Sequence, residues 1–121
     1  MTHFTVPKTV SVIDEAAFAA SGLQDITFVE GSILHTIDER AFAYVPMTSV
    51  KFPANLLLIG SSAFAASGLQ AVEFNQNLLL IQQSAFAYTH IPHVSFPGSA
   101  KFLGVIVHLR MQVLKLSVSR E

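Results

Sequence analysis

The sequence predicts a solenoid of short parallel β-strands stacked coil on coil, mostly strand and turn with 3₁₀ segments and little regular helix. Three observations predict it. An Ala-Phe box recurs every 22 to 24 residues, other apolar positions keep the same offsets from that box in every copy, and 51% of the 121 residues are hydrophobic, ample for a buried core.

The boxes stand at Ala17-Phe18, Ala41-Phe42, Ala63-Phe64 and Ala85-Phe86, spaced 24, 22 and 22 residues apart. Five residues before each phenylalanine is an isoleucine (Ile13, Ile37, Ile59, Ile81), and five after it is Leu23, Met47, Leu69 or Ile91. Eight after come Ile26, Val50, Val72 and Val94; ten after come Phe28, Phe52, Phe74 and Phe96. Eight of the ten phenylalanines thus fall in two columns. Equivalent residues of successive coils lie one above another at about 4.7–4.9 Å, so the columns become continuous apolar ladders. Burying one such side chain stabilises by about 1.5–3 kcal/mol, yet a single coil cannot cover its own edge. Stability must come from neighbours, and the four copies exceed the rough minimum of about three.

Within a copy, the run Leu69-Gln-Ala-Val72-Glu-Phe74 ends in period-2 alternation of β-branched and aromatic residues, which reads as a short strand, and four such strands would align in parallel. The alanine before each phenylalanine implies a tight coil. Ser21-Gly22 and Ser67-Gly68 read as turns in which glycine takes a positive φ. The remaining segments are too short for a helix of three turns, so short 3₁₀ or irregular structure is expected there.

A partial copy precedes the first box, because Phe4-Thr-Val6-Pro7 matches Val50-Lys-Phe52-Pro53. A fifth begins at Phe96-Pro97 and sets Leu103-Gly104 where Ile59-Gly60 would be, but His108 stands where the next phenylalanine belongs. Copies also alternate: Ala63 to Gln70 repeats Ala17 to Gln24 letter for letter, and Ala41-Phe-Ala-Tyr44 recurs as Ala85-Phe-Ala-Tyr88. Duplication of a two-copy unit explains this, as does a structural alternation of side-chain sizes. The repeat array therefore occupies residues 1–104 and a divergent segment residues 105–121. In that segment Leu109, Met111 and Val113 alternate with polar residues, and Leu114, Leu116 and Val118 resume the alternation after a one-residue slip, as in a bulged strand capping the array. A helix with Leu103, Val107, Met111, Leu114 and Val118 on one stripe is the second reading, and non-native sequence from a truncation or frame error a third.

Charged residues make up 12% and the formal net charge is -1, so no basic face exists to neutralise a run of phosphates, and nucleic acid is not an expected partner. Cysteine is absent, which removes disulfides and thiolate metal sites. Met1 to Asp14 lack the basic start and continuous apolar run of a secretory signal. The most apolar stretch, Phe102 to Leu116, is interrupted by His108, Arg110, Gln112 and Lys115, so no transmembrane helix is expected.

The boxes, isoleucines and strand residues together resemble the BspA-type, or Treponema-type, leucine-rich repeat, whose pattern runs L-x-x-I-x-(I/F)-P, then Ile-Gly, then A-F-x-x-C. The resemblance runs in phase from about Phe4 to Gly104. The family's cysteine position is filled by Ser21, Val45, Ser67 and Thr89, small or β-branched residues that occupy the same space. The resemblance implies a leucine-rich-repeat solenoid. It further implies the setting of that family, bacterial surface proteins and surface-associated proteins of protozoan parasites, with adhesion as the usual role and a cell-surface or extracellular location.

Little in the chain points to chemistry. His90 and His93 are three apart, but Pro92 interrupts them and no third ligand shares the segment; His3, His35 and His108 lie elsewhere. Asp14-Glu15 and Asp38-Glu39 occupy the same template row, so their four carboxylates should form one patch beside Arg40. A calcium site is one reading of that patch; a solvated acidic edge neutralised by Arg40 is preferred, because the later copies have Gly60-Ser61 and Gln82-Gln83 there. No Gly-rich phosphate loop, His-Glu metal motif or nucleophile elbow appears, so no enzyme, cofactor or metal is expected.

The expected functional surface is the set of strand residues that must point away from the core: Thr27, Lys51, Glu73 and Ser95 in one column, Asp25, Ser49, Ala71 and His93 in the other. They vary between copies while the ladders repeat. This describes a scaffold whose exposed strand face is tailored to a protein or glycan ligand. The contrary expectation is a structural spacer, or a fragment of a longer array, since the chain begins inside a coil and shows no evident polar cap at either end. Uncapped ends would also allow self-association.

Overall fold

The computed structural model describes residues 2–91, 93–96, 101–102 and 115–118, the last three segments by their backbone. Each coil has three sides. The first is an outer strand: β1 (His3–Val6), β3 (Asp25–Phe28), β5 (Ser49–Lys51), β7 (Ala71–Glu73), β9 (His93–Phe96) and β11 (Lys115–Val118). The second is a two-residue strand that carries the isoleucine column: β2 (Val12–Ile13), β4 (Thr36–Ile37), β6 (Leu58–Ile59), β8 (Leu80–Ile81) and β10 (Lys101–Phe102). The third is a run of turns bearing the Ala-Phe box, where 3₁₀ or irregular structure was expected; among the described residues no helix of any kind occurs.

Every strand pair is parallel, as stacking of equivalent residues requires. The five short strands form one continuous sheet in the order β10-β8-β6-β4-β2. The outer strands instead pair two by two, β1 with β3, β5 with β7 and β9 with β11. One of the interruptions, between β3 and β5, coincides with the longest link in the array: five residues separate Phe28 from Leu34, where three separate Phe52 from Leu56.

At the far end of the array one register differs from the sequence template and the next returns to it. Phe102, not Leu103, takes the isoleucine place opposite Ile81, so this place stands six residues after Phe96 where Ile59 and Ile81 stand seven after Phe52 and Phe74. In the divergent segment, β11 pairs with β9 in the 22-residue register of the array, setting Leu116 opposite Val94 and Val118 opposite Phe96. The expected bulge before it, and His108, lie outside the described residues.

The core is the set of predicted ladders. Ile37, Ile59 and Ile81 are fully buried, as are Leu23, Met47 and Leu69. The box rings of Phe18, Phe42, Phe64 and Phe86 stack face to face at 5.2, 5.0 and 5.5 Å with interplanar angles of 8°, 6° and 7°. The strand phenylalanines meet this ladder edge-on, Phe52 against Phe64 at 5.6 Å and Phe74 against Phe86 at 5.8 Å, so the two columns form one aromatic spine. Ala41, Ala63 and Ala85 are completely buried beside it, which is why these three boxes carry alanine, while Ala17 in the first box is exposed. At the family's cysteine position, the Ser21 and Ser67 hydroxyls accept hydrogen bonds from the Leu23 and Leu69 amides, and the Thr89 hydroxyl donates to the Phe86 carbonyl at 2.7 Å.

The expectation that Gly22 and Gly68 supply positive φ is not met. The left-handed residues lie two before and two after each box phenylalanine: Ala16 and Ala20, Arg40 and Tyr44, Ser62 and Ala66, Ser84 and Tyr88, with φ between 54° and 63°. Such a conformation costs a residue with a side chain about 1–2 kcal/mol. It persists because the amides of Ala16, Ala20, Arg40, Tyr44, Ser62 and Ala66 are each aimed at a carbonyl of the next coil: Ala16 at Glu39, Tyr44 at Ala65, Ser62 at Gln83, Ala66 at Ala87. The intervening amides close four-residue turns within the coil, as Ala63 to Gly60 and Ser67 to Phe64. Gly68 serves another need, because a Cβ there would stand 2.8 Å from the Pro46 carbonyl oxygen.

Ala66→Gly is therefore expected to leave stability unchanged or raise it by up to about 1 kcal/mol, since relief of the left-handed strain offsets the added freedom of the unfolded chain. Ala65→Gly, at an ordinary φ, is expected to lose about 0.5–1 kcal/mol. Thermal denaturation of the two side by side checks this, and equal losses would contradict it.

Candidate binding face

The outer strands present alternate residues outward because side chains on a strand point to opposite faces in turn. Ile26 and Val50 are buried and Val72 half-buried, while Asp25 and Thr27, Ser49 and Lys51, Ala71 and Glu73 are exposed. The predicted columns are thus brought together on one face for coils one to three. Ser95 and His93 continue them along the backbone of β9, with their side chains outside the described residues.

The β1–β3 register adds two residues that the column list omitted, setting His3 opposite Asp25 and Thr5 opposite Thr27. The match of Phe4 to Val50 was the signal that could have found them. His3 Nδ1 lies 2.8 Å from Asp25 Oδ2, and its Nε2 lies 3.2 Å from the Thr5 hydroxyl. Further along, Lys51 Nζ lies 3.9 Å from Glu73 Oε2. Polar side chains of adjacent coils therefore pair across the face, by hydrogen bond at His3–Asp25 and by opposite charge at Lys51–Glu73, and both pairs are solvent-exposed.

The longer link after β3 shapes the surface beside this face. Gly31 takes φ 85° to turn the loop, and Asn55 Nδ2 donates to the Ser32 carbonyl at 3.0 Å, fastening the loop to the next coil. Between the two loops lies an open cavity of about 460 Å³ bordered by Thr27, Phe28, Glu30, Lys51 and Phe52. Lys51 also borders a shallower recess with Glu73 across β5 and β7, and another with Phe74 and Asn77. It is the charged residue common to all three.

The acidic edge is held as an ion-pair cluster. Arg40 reaches Glu15 at 3.2 Å and Glu39 at 3.6 Å, while Asp38 Oδ1 accepts the Glu39 amide at 2.8 Å. Among the described residues, no three His, Asp or Glu side chains converge as a metal site would need, and no helix is long and apolar enough to cross a membrane. His90 is exposed; the side chain of His93 falls outside the described residues.

The BspA type leucine-rich repeat region, in 6 copies, matches residues 1–108. No curated protein matches. The crystal structure of the pneumococcal vaccine antigen PcpA is similar at 29% identity and a TM-score of 0.87, over 98% of this chain and 31% of that one. A leucine-rich cell surface protein from Faecalibacterium prausnitzii A2-165 shares the fold, with 18% identity and a TM-score of 0.68, over 100% of this chain and 40% of that one. The chain thus spans less than half the length of either structure.

Proposed function

The chain belongs to the BspA-type leucine-rich-repeat family, and from that premise we propose that it is a non-catalytic interaction module of the cell surface, binding a protein or glycan through its outer strand face. The observation that carries the reading is the contrast between columns: inward positions repeat as Ile, Phe and Leu, while outward positions change from Asp25 and Thr27 to Ser49 and Lys51 to Ala71 and Glu73. A rigid core with a variable face separates stability from recognition, so the face is free to be tailored. Thr27, Lys51, Glu73 and Ser95, with Asp25, Ser49 and His93, are the proposed contacts, and Lys51 is the centre of the patch because three recesses meet at it.

Reversing the charges with Lys51→Glu and Glu73→Lys tests this. Their exposed pairing is worth at most about 1 kcal/mol, so folding is expected to survive. Capture of purified surface proteins and of immobilised glycans by the wild-type chain is expected to fall about tenfold or more in each single variant, since every 1.4 kcal/mol of lost contact is tenfold. Unchanged capture by well-folded variants would remove the strand face from consideration. The share of the related chains that this one spans supports a second reading, a segment of a longer array without a ligand of its own. An array that captures its partner equally well with this segment replaced by neutral coils would favour that reading.

A further inference from the structure

The turn side of the coils carries a second surface, separate from the outer strands. Two residues after each box phenylalanine stand Ala20, Tyr44, Ala66 and Tyr88. Tyr44 and Tyr88 are 67% and 59% exposed, more than any other large apolar-bodied side chain among the described residues. Between them is an open cavity of about 290 Å³ lined by Ala65 and Ala66, with Ser62, Ser84 and Arg40 contributing polar groups.

The two-copy alternation creates this space. Box rings in adjacent coils are 5.0 and 5.5 Å apart, so Tyr44 and Tyr88, two coils apart, stand about 10 Å from one another along the solenoid axis. A tyrosine at position 66 would fill the interval; alanine leaves it open. The backbone around the slot is anchored coil to coil, Tyr44 N to Ala65 O at 3.0 Å and Ala66 N to Ala87 O at 2.8 Å, so little is lost in ordering it on binding.

Two properties of the slot select its occupant. A polyproline II helix advances about 9.3 Å per three-residue turn, which matches the interval between the tyrosines, and aromatic-lined grooves recognise that helix because it is already ordered when free. At the Arg40 end the charge is net negative: Asp14, Glu15, Asp38 and Glu39 share one template row with a single guanidinium, which pairs with Glu15 and Glu39. We propose that the Tyr44–Ala66–Tyr88 slot binds a proline-rich peptide in the polyproline II conformation. The peptide runs along the solenoid axis, with prolines one turn apart against the two tyrosines and a basic residue directed toward Glu15 and Glu39. Hydroxyl groups of Tyr44, Tyr88, Ser62 and Ser84 are available to donate to its carbonyls, which lack intramolecular partners in that helix.

The chain contains these two tyrosines and no tryptophan, so its intrinsic emission reports on the slot. Titrating the full chain with an oligoproline peptide ending in arginine is expected to change tyrosine emission saturably, and calorimetry to show affinity about tenfold or more weaker in Tyr44→Ala and in Tyr88→Ala. Ala66→Tyr is expected to abolish binding while keeping the fold, because the equivalent positions already hold tyrosine at φ 63° and 62°; circular dichroism verifies the fold of each variant. No saturable change with the peptide would overturn the proposal. So would equal binding of a Gly-Ser peptide ending in arginine, or undiminished affinity in Ala66→Tyr. A response to a neutral cello-oligosaccharide without one to the peptide would also overturn it, by making the slot a glycan site.

Discussion

Phe64→Ala is expected to cost about 3–5 kcal/mol, enough to unfold much of an array of this size. Phe64 is completely buried and has three aromatic neighbours: Phe42 at 5.0 Å and Phe86 at 5.5 Å above and below, and Phe52 edge-on at 5.6 Å. Removing the ring leaves a void in the middle of the ladder. The surrounding coils cannot collapse into it, because their spacing is set by the hydrogen bonds Phe42 N to Ala63 O and Phe64 N to Ala85 O. Phe18 offers the comparison within the same column. It is only half-buried, with Phe42 stacked on it and Phe4 tilted against it at 52°, so Phe18→Ala is expected to cost about half as much. Urea denaturation followed by circular dichroism measures both. In a solenoid, interfaces between neighbours carry the cooperativity, so Phe64→Ala is also expected to lower the dependence of stability on urea as the two halves uncouple. Equal costs at the two positions would show that the ladder is not the main source of stability.

Gly60→Ala is expected to cost about 1–3 kcal/mol despite adding a single methyl group. A Cβ at Gly60 would lie 2.8 Å from the Asp38 carbonyl carbon, 2.9 Å from the Glu39 amide nitrogen and 3.1 Å from the Ile37 carbonyl oxygen. All three are backbone atoms, and the Gly60 amide is bound to that same Ile37 oxygen at 2.7 Å, so relief requires one coil to lift from the other. Template-equivalent positions hold Asp14, Asp38 and Gln82. A side chain is thus acceptable to the coil in general, and the restriction belongs to the close seating of the third coil on the second. The same urea measurement decides it: a midpoint equal to wild type would mean that this seating relaxes freely.

Much of this molecule is legible in its sequence because a solenoid repeats one local solution. Ile59, Phe64, Leu69, Val72 and Phe74 are recognisable as core from their constant offsets, and Thr27, Lys51 and Glu73 as surface from the alternation between them. The Arg40 cluster is equally visible, since identical template rows become spatial neighbours. The two-residue strands around the isoleucines are too short to show any period. Left-handed backbone falls on Ala, Arg, Ser and Tyr, none of which advertises it, because the amide-to-carbonyl bonds between coils impose it.

The sequence alone determined the repeat, its ladders, the inward and outward assignment of the strand residues between Asp25 and Glu73 and the family to which the pattern points. These follow from periodicity, and period is a property of the chain. Tertiary structure decided the pairing of the outer strands two by two, the cavity beside Lys51 opened by a longer link, the close seating at Gly60 and the slot between Tyr44 and Tyr88. Each of these depends on how far apart two coils sit and what stands between them, a distance fixed only when the backbones of neighbouring coils are hydrogen-bonded to one another.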